Sequence, residues 1–114
     1  MNVSEFLNKL KLEGKSVSFQ DTIAVIDANY SFTPTAFSNG NQINKAGENN
    51  GSCKIFAFAK LNQLTELQTL SCFGSYYHED VLQNPDGTDH QNIRNFMEFG
   101  WNGIHFESEA LSEI

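Results

Sequence analysis

The run Ile55-Phe56-Ala57-Phe58-Ala59 is apolar on every side, and a helix with no polar face is stable only when other elements enclose it. Short apolar runs also occur in buried strands, but the alanines and the flanking Lys54 and Lys60 favour a helix. The chain is therefore predicted to wrap its other elements around one central helix ending near Leu61, with Ser52 placed to cap its start. The material for such a core is present. Thirty of the 114 residues are Leu, Ile, Val or Phe, above the share of about 20% below which charged chains stay disordered. A chain of this length can bury roughly two thirds of its unfolded surface without a disulfide or metal. No repeat or linker divides it, so residues 1–114 are read as a single domain.

Four further helices are legible around the central one. Val3, Phe6, Leu7 and Leu10 fall on one helical stripe that Gly14 ends, and Ser18 with Asp21 forms a capping-box pattern before a second helix over 19–29, with Phe19, Ile23, Ile26 and Tyr30 on one face. Thr65 with Gln68 opens a fourth helix through Leu67, Leu70, Phe73, Tyr77 and Val81, bent at Gly74. Asn84-Pro85-Asp86-Gly87 has the residue order of a type I turn and stops it. Thr88 with Gln91 then opens a fifth helix with Ile93, Phe96 and Met97 inside and Gly100 at its end.

Two stretches read as strands. Phe32, Thr33, Thr35 and Phe37 are strand formers, Pro34 holds Thr33 extended and confines the segment to a sheet edge, and Asn39-Gly40 is a hairpin dipeptide. Residues 44–51, rich in Asn and Gly, form a loop. Trp101, Ile104 and Phe106 alternate with polar residues, making a short strand whose expected partner is the 32–37 segment. The expected class is α+β, mainly helical with about five helices and a two- or three-stranded antiparallel sheet.

Charge narrows the function. Residues 1–60 carry six lysines against five acids, whereas residues 61–114 carry only Arg94 against nine, for a net −7. Such a chain repels a phosphate backbone, so nucleic acid is not an expected partner. The acidic second half reads as a solvated face or a docking surface for a basic partner. Cys53 and Cys72 show no metal or redox spacing and fit free thiols in a reducing cytosol. No apolar run reaches the roughly 18 residues of a membrane span, and the first residues lack a signal peptide's unbroken apolar core.

Chemistry concentrates in Asn49-Asn50-Gly51-Ser52-Cys53-Lys54. A cysteine in the first turn of a helix meets unpaired amides and the positive end of the helix dipole, which favour a thiolate. His90 or His105, oriented by Asp89 or Asn102, could then serve as base for a cysteine hydrolase. Gly-Ser-Cys at a helix start is similar to papain-like enzymes over three residues, without the aromatic residue that normally follows. The plainer reading has Cys53 packing as a small apolar residue while Asn50 and Ser52 cap the helix. A third reading uses the amides of Asn50 to Cys53, with Lys54 or Arg94 nearby, to bind a small anion. Arg94 serves equally well as a structural partner of Asp27, Asp80 or Asp89. His78-Glu79-Asp80 and Asp86, Asp89 and His90 lack any metal-motif spacing, so neither metal nor cofactor is expected.

Longer strings carry a family resemblance: Asp27-Ala28-Asn29-Tyr30, Phe32-Thr33-Pro34-Thr35-Ala36-Phe37, Asn49 to Lys54, Tyr76-Tyr77, and Gly87-Thr88-Asp89-His90-Gln91-Asn92-Ile93-Arg94-Asn95-Phe96-Met97. Over residues from about Phe6 to Phe106 the chain resembles the HopJ family of small bacterial proteins, described as type III effectors. The resemblance implies a bacterial protein delivered into a host cell by a type III apparatus and acting on a host or bacterial protein. It supplies no catalytic residue. The expected function is therefore binding rather than catalysis. The alternatives are a hydrolase using Cys53 and a cytoplasmic housekeeping protein that binds a small anion.

Overall fold

A computed structural model describes all residues, 1–114. Helix α1 (Val3–Leu12) is closed at its start by a capping box between Asn2 and Glu5 and buries Phe6 and Leu10. After a 3-10 turn (Gly14–Ser16), α2 (Phe19–Asn29) starts at the Ser18/Asp21 capping box read from the sequence. The chain then forms β1 (Tyr30–Phe32), β2 (Phe37–Asn39) and β3 (Gln42–Asn44). Helix α3 (Asn50–Leu61) follows, then α4 (Glu66–Ser71), a π-helical segment (Tyr76–Val81), and α5 (Gln91–Phe99). A 3-10 turn (Gly100–Gly103), β4 (Ile104–Phe106) and β5 (Leu111–Glu113) complete the chain.

Helix α3 is the hub that its sequence predicts. Ile55, Phe56, Phe58 and Ala59 are wholly inaccessible to solvent. Two of its rings reach in different directions. Phe58 meets Phe6 of α1 and Tyr30 of β1 edge-on, each at 5.8 Å, while Phe56 packs against Phe37 of β2, Phe73 and Phe96 of α5 at 6.1, 5.5 and 5.0 Å. Edge and offset contacts of this kind add to the burial term. One side chain therefore fastens β2, α5 and the segment after α4 to the same helix.

The sheets depart from the expected pairing. Instead of one strand over 32–37, the chain breaks at Thr33–Ala36 around Pro34, and the two halves join different antiparallel sheets. Tyr30–Phe32 pairs with Leu111–Glu113, a strand too polar in sequence to announce itself, and Phe37–Asn39 lies between Gln42–Asn44 and Ile104–Phe106. Pro34 has no N–H to give a ladder, so the break falls where a ladder could not continue. Because Asn39 pairs with Gln42, the hairpin loop is Gly40-Asn41 rather than Asn39-Gly40.

The expected fourth helix is two segments. Helix α4 begins at the Thr65/Gln68 capping box but ends at Ser71, and Gly74 adopts φ +61° before the π-helical segment. A Cβ on Gly74 would lie 2.7 Å from the Phe19 backbone nitrogen. Glycine is required there both for its backbone angle and for the close approach of α2. Separation of the two segments carries Tyr76 to the start of α2, where its ring lies 5.1 Å from that of Phe19.

Candidate functional site

Three helices, α1, α2 and α4, have complete side-chain caps, and two, α3 and α5, have none. The uncapped pair share an unusual start. Asn49 precedes α3 with φ 51° and ψ 49°, and His90 precedes α5 with φ 50° and ψ 49°, both in the left-handed region that most residues avoid. An N-cap side chain works from an extended backbone. A left-handed start gives up that bond. The expected caps at Ser52 and at Thr88/Gln91 are therefore not formed: α3 begins two residues ahead of Ser52, and α5 begins after His90.

The consequence is a set of free donors. In α3 the Cys53 N–H donates to the Asn49 carbonyl at 3.0 Å, and in α5 Ile93 and Arg94 both donate to the His90 carbonyl. The N–H groups of Asn50, Gly51, Ser52, Gln91 and Asn92 have no backbone acceptor and no side-chain cap. Both helix starts line one cleft of about 450 Å3. Asn49, Gly51 and Ser52 come from α3, with His90, Gln91 and Asn92 from α5. Phe19, Phe73 and Tyr76 supply aromatic surface, and no Asp or Glu lines the cleft in a chain that has fourteen. A Cβ on Gly51 would stand 2.9 Å from the Phe19 ring, so this position is kept bare at the helix start.

A network of buried amides fixes the two starts relative to each other. Oδ1 of the fully buried Asn44 accepts from Asn49 Nδ2 at 2.7 Å, Asn92 Nδ2 at 3.0 Å and Gln42 Nε2 at 3.3 Å. Asn44 Nδ2 donates in return to Asn92 Oδ1 at 3.2 Å. Asn39 Nδ2 donates to the Asn92 carbonyl and side chain, and Asn95 Nδ2 donates to the Asn39 carbonyl. One side chain on β3 thus touches the residue before α3 and the second residue of α5. A buried network of this kind resists deformation, because displacing one member strands its partners, although Asn39 Oδ1 itself is buried without a partner.

None of Asn39, Asn44, Asn92 and Asn95 stood out in the sequence as a functional candidate. The signal was there. Asn92 and Asn95 occupy the same helical stripe as Phe96, which faces the core, and thirteen asparagines in 114 residues exceed what turns require.

The residues singled out from the sequence divide sharply. Ser52 and His90 line the cleft, while Asn50, Lys54 and Arg94 do not. Lys54 Nζ pairs with Asp27 at 2.8 Å and lies 5.0 Å over the Phe32 ring. Arg94 is occupied by the turn before α5: its Nε donates to the Asp89 carbonyl at 2.6 Å, Nη1 to the Asn84 carbonyl at 2.8 Å, and Nη2 to Asp89 Oδ1 at 2.7 Å. The guanidinium holds the Asp89 carboxyl below its usual range, mainly through that side-chain hydrogen bond. Its planar fork is used for structure, not for a ligand.

The geometry also corrects the thiolate reading of Cys53. With α3 starting at Asn50, the cysteine sits beyond the free amides, 1% exposed, and its thiol donates to the Thr35 carbonyl at 3.7 Å. Burial pushes its pKa up, opposite to what a nucleophile needs. Neither candidate base is bonded to it. His90 gives its ring nitrogen Nε2 to Asp80 Oδ2 at 3.0 Å, and His105 is exposed on β4 opposite Ser38. Asn102, one proposed orienting residue, is exposed in the 3-10 turn.

The model of the family described as "HopJ type III effector protein" matches residues 3–111, and the chain belongs to that family. It is similar to a solved structure described as "Crystal structure of unknown function protein VPA0580", at 55% identity and a TM-score of 0.99, covering 100% of this chain and 95% of that one. No curated protein matches it.

Proposed function

We propose that this protein is a non-catalytic binding protein whose cleft captures a small oxyanion, a carboxylate or phosphate, on the amides that begin α3 and α5. The observation that carries this reading is the N–H groups of Gly51, Ser52, Gln91 and Asn92, left without acceptors on residues that line one carboxylate-free cleft. Oriented amides and two positive dipole ends act together on an anion, and the Asn44 network holds them in place before it arrives. The site achieves this without a lysine or arginine in its lining. That combination suits an overall acidic protein, because the donors are fixed and local while Lys54 and Arg94 are engaged elsewhere.

Thermal shift against sodium phosphate and acetate, with sodium chloride as an ionic-strength control, tests this reading. Stabilisation that grows with ligand concentration is expected, reaching roughly 2.7 kcal/mol at a hundredfold excess over Kd. Ser52→Glu, which places a carboxylate at the α3 start, is expected to abolish the shift. Equal stabilisation by chloride, or full retention in Ser52→Glu, would refute the reading.

The family description favours a second element: delivery of this binding protein into a host cell by a type III apparatus, there to meet a protein partner, with the acidic second half of the chain offered to a basic surface. Secretion assays in matched strains with and without the apparatus test it. The protein is expected in the medium only when the apparatus is intact. Retention inside both strains would leave a cytoplasmic anion binder.

A further inference from the structure

We infer that the outer edge of residues 104–113 receives an extended basic segment of a protein partner, which adds to it as a further strand. The inference rests on the reading above that the acidic half of the chain meets a basic surface, and it gives that surface a place. It starts from register. Phe32 faces Leu111 and Phe37 faces Phe106, the same interval on both strands, and bonds from the Thr33 N–H to the Ala110 carbonyl and from the Glu107 N–H to the Ala36 carbonyl carry the alignment across the break at Pro34. Residues 104–113 therefore run beside 30–39 on one side only, since β4 ends its sheet and β5 pairs with β1 alone. In an antiparallel ladder, successive residues turn their backbone groups to opposite sides. Glu107 bonds inward to Ala36, so the N–H and C=O of the half-buried Phe106 point away from the ladder. Ile114 bonds inward to Asn29, so those of the exposed Glu113 do the same.

That edge borders a groove along α3. Two cavities, of about 300 and 420 Å3, flank Lys60, the first lined by Trp101 and Ile104 and the second by Phe106 and Leu111. Leu61, 57% exposed, stands on the helix side of the second. An added strand would lay alternate side chains on this apolar wall while its backbone bonds to the edge, the mode by which sheets take up extended peptides. Charge names the occupant. Glu107, Glu109 and Glu113 are exposed, none is in an ion pair, and residues 104–113 contain no lysine or arginine. Acids on an open edge guard it against self-pairing, because a second copy added about a two-fold axis would set these carboxylates against their own counterparts. The same guard admits a strand of opposite sign. Lys60, the one cation in the groove, is turned onto the Phe106 ring, 5.9 Å from its centre, which leaves the glutamates to set the sign of the partner.

Three peptides test this on the isotope-labelled full chain by NMR titration at low salt: Ac-Arg-Val-Arg-Val-Arg-Val-Arg-NH2, its counterpart with glycine in place of every valine, and its counterpart with glutamate in place of every arginine. The arginine–valine peptide is expected to bind about tenfold more tightly than the arginine–glycine peptide, the gain from burying about one valine side chain. It is expected to shift the amides of Phe106 and Glu113 most. In the triple variant Glu107→Lys, Glu109→Lys, Glu113→Lys its affinity is expected to fall about tenfold. Equal binding of the glycine peptide, or shifts that leave Phe106 and Glu113 unmoved, overturns strand addition and leaves an acidic docking surface standing. Equal binding of the glutamate peptide overturns the basic partner. No response to any of the three removes the docking reading as well. Sedimentation of the free chain is expected to show a monomer, and a dimer that protects the Phe106 amide from exchange would give the edge to a second copy and overturn the inference.

Discussion

Helices α2 and α3 pack against each other, yet they begin in opposite ways. Helix α2 starts with a reciprocal pair: the Asp21 N–H donates to Ser18 Oγ at 3.0 Å, and the Ser18 N–H donates to Asp21 Oδ2 at 3.3 Å. Helix α3 starts from a left-handed asparagine with its first three amides unanswered. The same chain that writes capping boxes for three helices withholds them from two, and those two meet. Stability available from a cap, typically about 1 kcal/mol, is forgone at the two helix starts that line the cleft. Local departure from the stabilising pattern is where function is to be sought.

The largest expected effect comes from the residue that joins the two open starts. Asn44→Ala removes four side-chain bonds to Asn49, Asn92 and Gln42 together with a long bond to the Phe37 carbonyl, and leaves several of those groups buried. A loss of about 3 kcal/mol is expected in urea unfolding, because stranded buried amides cost about 1–3 kcal/mol each and partly relax. Asp in the same place restores the acceptor but not the donor and should recover part of the loss. A change under about 0.5 kcal/mol in Asn44→Ala would mean that the starts are held by backbone packing alone.

Smaller effects of opposite sign should separate the two kinds of start. Ser18→Ala at the capped helix is expected to destabilise by about 1 kcal/mol with no change in anion response. Ser52→Glu at the open helix is expected to stabilise by about 0.3–1 kcal/mol, since a carboxylate there meets the dipole and the free amides. It should do so while losing the anion response. Chemical denaturation of both variants beside the thermal-shift assay measures each. If Ser52→Glu is destabilising, the α3 amides are not the open donors their geometry implies, and the contrast between the helices fails.

How much of this was legible depends on the kind of signal. The central helix, the capping boxes at Ser18 and Thr65 and the bounds of α2 follow from side-chain type and periodicity, which act locally, and they are where the sequence puts them. The sheets were less accessible, because pairing of Tyr30–Phe32 with Leu111–Glu113 joins segments some eighty residues apart and depends on how the core closes. The cleft was half visible. Asn49-Asn50-Gly51-Ser52 marked one wall, but the opposite wall required knowing that His90, not Thr88, precedes α5. A Thr followed three residues later by Gln reads as a capping box whether or not the backbone adopts the extended angle that makes it one. The amide network was missed because asparagine in sequence signals turns, and only the fold places Asn39, Asn44, Asn92 and Asn95 in the interior.

The smallest effect expected is a pH dependence from His78, which sits within the π-helical segment. His90 lines the cleft with its Nε2 against Asp80, whereas His78 has a buried Nε2 with no partner. Burial, with a contribution from the nearby Lys15 charge, lowers the His78 pKa. A histidine kept neutral by the fold favours folding while the unfolded chain is also neutral, above its ordinary pKa of about 6.5. As pH falls from there through the folded-state value, the unfolded chain takes up the proton first, so this contribution to stability is progressively lost. Urea midpoints measured from pH 7.5 to 5 should therefore fall more steeply in the wild-type protein than in His78→Gln, whose side chain stays neutral throughout. Parallel slopes would show that the imidazole finds a partner when protonated.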